Sequence, residues 1–120
     1  MRKEAERLEE KYFLSFFTKE LPICVVVPTR NNVENYRYEY NLQSILNQDY
    51  TNYKLVVVDD ASNDGTGDLI DLFLARSKLP KERYALIRNK ERMTAIPNIY
   101  RAITTECGRD DIAIIVSGDD

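Results

Sequence analysis

Two pairs of adjacent carboxylates stand out in the sequence, Asp59 with Asp60 and Asp119 with Asp120. Each pair comes at or just after the end of an apolar run, "KLVVV" at 54–58 and "IAIIV" at 112–116. Four acids delivered to one edge of a fold would repel one another unless something cationic or hydrogen-bonding lay between them. A hard divalent ion or a donor-rich base is therefore their natural occupant. A plainer reading competes: Asp59, Asp60 and the following "SNDG" have the composition of a turn and helix cap. Asp119 and Asp120 have that of a solvated terminus. Histidine is absent, which excludes imidazole general bases and His-containing zinc sites. Any catalysis must rest on carboxylates or a bound hard metal ion.

The elements that must position these acids follow from periodicity. Four short runs rich in β-branched and aliphatic residues, 23–27, 54–58, 84–87 and 112–116, read as strands. Being apolar throughout rather than alternating, each is expected to be covered on both faces. Helical patterns separate them: Tyr38, Leu42, Ile45 and Leu46; then Leu69, Ile70, Leu72 and Phe73; then Ile99, Tyr100 and Ile103, with Pro97 suited to a first turn. This alternation predicts a parallel sheet with right-handed crossovers and helices on both faces. In such sheets ligands bind beyond the carboxyl ends of the strands. All four of those ends are polar: Thr29 to Asn32 after Pro28, Asp59 to Gly65, Arg88 to Lys90, and Ser117 to Asp120. The opposite ends carry ordinary turns such as 47–50, so the asymmetry predicts one site along one edge.

A chain of 120 residues with 43% hydrophobic content fits one modest domain, small for an enzyme with two substrates. Its 20 acids outnumber 17 scattered basic residues, which argues against a nucleic acid polymer as partner. No run reaches the roughly 18 apolar residues of a transmembrane segment, and the N-terminus is charged where a signal peptide is apolar. A cytoplasmic protein is expected. Residues 1–20 read as an N-terminal helical extension whose Tyr12, Phe13, Phe16 and Phe17 share one side and pack on the domain. A membrane-surface or partner-binding helix is the alternative. Cys24 and Cys107 lie 83 positions apart with neither metal nor redox spacing, and both are expected to be reduced packing residues.

Three segments, "ICVVVPTRNN", "SILNQDYTNYKLVVVDDASNDGT" and "IAIIVSGDD", together resemble the start of a glycosyltransferase family 2 protein over about residues 21–120. The resemblance implies an α/β, parallel-stranded, Rossmann-like (GT-A) three-layer sandwich, truncated after its fourth strand. It implies a nucleotide-diphosphate sugar, most often a UDP-sugar, with Mg2+ or Mn2+ neutralising the diphosphate, and transfer with inversion to an acceptor that is a glycan, a lipid or a protein. Pro28, Thr29, Asn31, Asp59, Asp60, Arg92 and Asp119 are then expected around the nucleotide sugar. Thr29 and Pro28 would line the nucleoside pocket, and Asp60 would accept the uracil ring N–H. Arg88, Lys90 and Arg92 compete for a basic contact, and Asn98 resembles the family's "ARN" asparagine. In the metal motif Asp-X-Asp-Asp, Ser117 replaces the first acid, leaving Asp119 and Asp120 as metal ligands. The catalytic base is expected in sequence beyond Asp120. The competing functional reading is a catalytically inactive nucleotide-binding or regulatory module. A response-regulator receiver fits less well, because the acidic pair here follows the second strand rather than the first.

Overall fold

The computed structural model describes residues 20–118. The expected N-terminal helix over residues 1–19 and the metal ligands Asp119 and Asp120 lie outside the described residues. Strand β1 (Ile23–Thr29) leads through a short 3-10 turn to helix α1 (Arg37–Leu46) and strand β2 (Tyr53–Asp59). Helix α2 (Thr66–Arg76), strand β3 (Tyr84–Arg88), helix α3 (Ala95–Glu106) and strand β4 (Ile112–Ile115) follow. Pro97 lies in the first turn of α3, where a missing N–H leaves no bond unmade.

The four strands form one parallel sheet in the order β3-β2-β1-β4. The chain steps outward from β1 to β3 and then crosses back to the far side of β1. Right-handed crossovers running in opposite directions lie on opposite faces of a sheet. So α1 and α2 cover one face and α3 the other. On the first face Val25, Val27, Leu55 and Val57 pack against Leu42 of α1 and Ile70 and Leu74 of α2. On the second, Cys24, Val26, Val56 and Val58 meet Ala102 and Ile99 of α3. Successive strand residues feed alternate cores, which is why β1 and β2 are apolar without a break.

Two expectations need correcting. Coverage on both faces holds for β1 and β2 only. β3 is half-buried, and β4 leaves Ile112, Ile114 and Ile115 at 46%, 42% and 44% exposure. The reason is topological: β3 and β4 are the edges of the sheet, and among the described residues no helix rests on β4. The cysteines, expected to be reduced, instead form a disulfide with Cα atoms 5.6 Å apart. Cys24 faces α3 from the middle of β1, and Cys107 caps the C-terminus of α3 directly above it. Beside them Lys54 Nζ reaches Glu106 Oε2 at 2.9 Å, so two ties join the end of α3 to the sheet.

Candidate functional site

The reversal of strand order between β1 and β4, which run parallel, creates a topological switch point, the place where open α/β sheets form a ligand crevice. The residues that build this crevice come from three strand tips. At the tip of β1, Thr29 is 4% exposed. Its carbonyl accepts the Asp60 N–H at 2.9 Å, which joins the β1 and β2 tips. On the other side, the Pro28 carbonyl accepts the Gly118 N–H at 3.0 Å. Asn32 fastens the seam from beneath: its Nδ2 donates to both Thr29 Oγ1 and the Gly118 carbonyl. Its own N–H donates to Thr66 Oγ1 at 2.9 Å, so the first turn of α2 is tied in.

Gly118 has a specific reason to be glycine. A Cβ there would stand 2.6 Å from Thr29 Cβ and 2.8 Å from the Pro28 carbonyl oxygen. Backbone on one side and a buried side chain on the other cannot yield without opening the seam between β1 and the 116–118 segment. Gly118→Ala is therefore expected to cost about 1–3 kcal/mol through overpacking, measured by urea denaturation.

Asp59 and Asp60, adjacent in sequence, point to opposite faces of β2. Asp59 turns toward α2: it accepts the Ser62 hydroxyl, and its Oδ2 lies beside Arg88 at Gly67, where an added Cβ would come within 2.5 Å of that oxygen. Arg88 in turn pairs with Asp68 at 2.9 Å, so it is occupied at the rim of α2. Asp60 turns toward α3, and three donors converge on its carboxylate. Oδ1 accepts the Met93 N–H at 2.7 Å and the Asn89 amide at 3.0 Å, and Oδ2 accepts the Thr94 N–H at 3.0 Å. Asn89 Nδ2 also reaches Asn98 Oδ1 at 2.6 Å, and Arg101 donates to Asn89 Oδ1 at 3.0 Å. One carboxylate thus staples the loop between β3 and α3 to the sheet edge. Thr94 pays for that geometry with φ 71° and ψ 171°, a region that only glycine occupies readily.

Burial alone would push the Asp60 carboxyl up, but the Met93 N–H, the Asn89 and Asn98 side chains and the Thr94 N–H together outweigh it and hold the group below the usual carboxylate range. The folded state therefore binds this proton more weakly than the unfolded chain, whose aspartates titrate near about 3.9. The stabilisation is fully present above that value and is lost as pH falls below it toward the lower native pKa. Unfolding midpoints in urea should fall below about pH 4, and Asp60→Asn should flatten that acid limb.

The sequence-predicted residues divide into three groups. Thr29, Asp60 and the Pro28 carbonyl meet at the switch point beside Gly118; Asp119 lies outside the described residues. Asn31 serves as a clamp between loops, with φ 53°, its N–H donating to Ser62 Oγ and its Oδ1 accepting the Asn63 N–H. Asp64 binds the N–H and hydroxyl of Thr66 at the entrance to α2, the turn role its composition suggested. Arg92 is exposed and sits in the stapled loop, next to Met93. Sequence reasoning omitted Asn32 and Asn89 from the site, because asparagine in a loop reads first as a turn former. Only their order after strand ends could have signalled them. Among the described residues no group of three acidic, histidine or cysteine side chains could hold a metal. No described helix is long and apolar enough to cross a membrane.

A doubly wound parallel sheet with an acid-bearing crevice at its switch point defines a Rossmann-like domain of the GT-A type. The chain belongs to glycosyl transferase family 2, whose model matches residues 24–120. Among solved structures it is similar to the mannosyltransferase PcManGT from Pyrobaculum calidifontis in complex with GDP-Man and Mn2+, with 28% identity and a TM-score of 0.72. That match covers 85% of this chain and 28% of the other. It is also similar in fold to S. aureus TarS 1-349, at 22% identity and a TM-score of 0.62, covering 83% of this chain and 28% of that one. The chain thus spans little more than a quarter of the length of these structures. A comparison with curated proteins gave no match.

Proposed function

We propose that this chain forms the nucleotide-sugar-binding portion of an inverting glycosyltransferase, holding a UDP-sugar across the switch point for transfer to a glycan, lipid or protein acceptor. The observation that carries this reading is the meeting of Thr29, Asp60 and Gly118 at one crevice. Three of the acceptor positions on Asp60 are taken by Asn89, Met93 and Thr94. The Asn98 side chain also helps to hold this carboxylate charged, and the single imino N–H of uracil would add one more donor to it. Guanine presents two adjacent donors, so the GDP-Man held by the similar mannosyltransferase is the natural comparison.

Asp119 and Asp120 would hold Mg2+ or Mn2+. Gly118 is fixed by its N–H bond to the Pro28 carbonyl and by the Asn32 amide on its carbonyl, and oxygen ligands such as the two following carboxylates are what hard cations take. When bound, such an ion neutralises the diphosphate and takes up charge on the leaving group. The chain's own contribution is to fix the base against Asp60, to place Arg92 beside the phosphates, and to seal the crevice floor with Thr29 and Asn32. Inversion needs a general base against the acceptor hydroxyl, assigned here to sequence beyond Asp120.

UDP with Mn2+ should raise the melting temperature, since a ligand at 100 times its Kd stabilises the fold by about 2.7 kcal/mol. GDP should do so less. A flat titration to millimolar nucleotide with metal would reject the site, and a larger shift with GDP would reject the uracil assignment.

A further inference from the structure

We propose that the groove between α1 and α2 is the docking site of this chain's own aromatic segment, Tyr12 to Phe17. The groove encloses about 730 Å³. Its walls include Tyr53, Leu69, Leu72 and Phe73. Leu72 is 44% exposed, an apolar side chain left without cover. Arg76, Lys78 and Arg83 contribute cations against a single acid, Glu39. Arg83 Nη2 is buried and has no hydrogen-bond partner among the described residues, although the guanidinium stacks 5.0 Å from the Tyr53 ring centroid and Nε donates to the Tyr53 carbonyl.

The occupant follows from where the described chain begins. Glu20 is tied to the turn before β2: its carboxylate accepts the Thr51 N–H at 2.7 Å, and its carbonyl accepts the Asn52 amide at 3.0 Å. Tyr53, the next residue, is already groove wall. Phe17 is three residues before Glu20, about 10 Å of extended chain, so the tether is long enough for the segment to reach the groove. The segment offers Tyr12, Phe13, Phe16 and Phe17 for the apolar walls, with Glu9 and Glu10 available to the cations beside Lys11 and Lys19 of opposite sign. A second copy of the chain would need its own segment to cross between molecules, while the tethered one is present at high effective concentration.

The chain contains no tryptophan, so Phe16→Trp supplies a single fluorescent reporter in the full chain. Blue-shifted emission with acrylamide quenching reduced severalfold relative to free indole is expected. In the same background, Leu72→Glu should shift the emission to the red and restore quenching, with the circular dichroism spectrum unchanged. Leu72→Ser serves as the milder variant if the charged one does not fold. Emission typical of exposed indole in the Phe16→Trp chain would overturn the proposal. So would burial that neither Leu72 variant disturbs, which places the segment elsewhere, or burial that disappears on dilution, which makes the occupant a second copy.

Discussion

Asp60→Ala is expected to remove the nucleotide-induced thermal shift and, in the same molecule, to destabilise the free protein by about 2–4 kcal/mol. Both effects have one origin. The carboxylate satisfies the Met93 and Thr94 N–H groups and the Asn89 amide, and its removal leaves these donors facing a methyl group. Thr94 would also lose the bond that holds it in a glycine-like conformation, so the 89–94 loop should relax. Asp64→Ala is the matched control. It removes the bonds to Thr66 and to the Val33 N–H and reaches the crevice only indirectly, through Thr66 and Asn32, so most of the nucleotide shift should survive it. Thermal-shift titration with UDP and Mn2+ on both variants checks this. Equal losses would mean that the turn after β2 matters and the base contact does not.

Reducing the disulfide, or replacing Cys107 by serine, is expected to cost about 4 kcal/mol, because the bond closes a loop of more than eighty residues in the unfolded chain. For a domain of this size that corresponds to a fall in Tm on the order of 10–20 °C. Cys24 is fully buried in β1, so access for a reductant requires the end of α3 to lift. A calorimetric scan with and without dithiothreitol reads the effect, and an unchanged Tm would show that the bond contributes nothing. Cytosolic disulfides are uncommon, so a cytoplasmic location fits this chain only if burial protects the bond.

Much of the architecture was legible because the signals were local. "ICVVV" and "KLVVV" are apolar at every position, and only strands buried on both faces need that pattern. The polar strand ends fall along one edge of that sheet, as parallel order requires. Three features were not legible, each for a physical reason. Nothing in the spacing of Cys24 and Cys107 marks them as partners; the pairing exists because the crossover through α3 returns its C-terminus over the middle of β1. The exposure of β4 depends on its edge position, which an apolar run cannot announce. The division of labour between Asp59 and Asp60 depends on which face each meets, and identical side chains give no hint of it. The three donors that Asp60 gathers sit about thirty residues downstream, beyond the reach of any local pattern.

The strand order has a consequence for how the molecule comes together. β1 joins β2 and β2 joins β3 through compact neighbouring units, but Cys24 pairs with Ala113, so the β1–β4 seam must wait for segments distant along the chain to find each other. Contacts of that kind form late and limit folding rates. The sheet and its helices can therefore assemble while the crevice is still half built, and competence to hold a ligand arrives only with the slowest pairing.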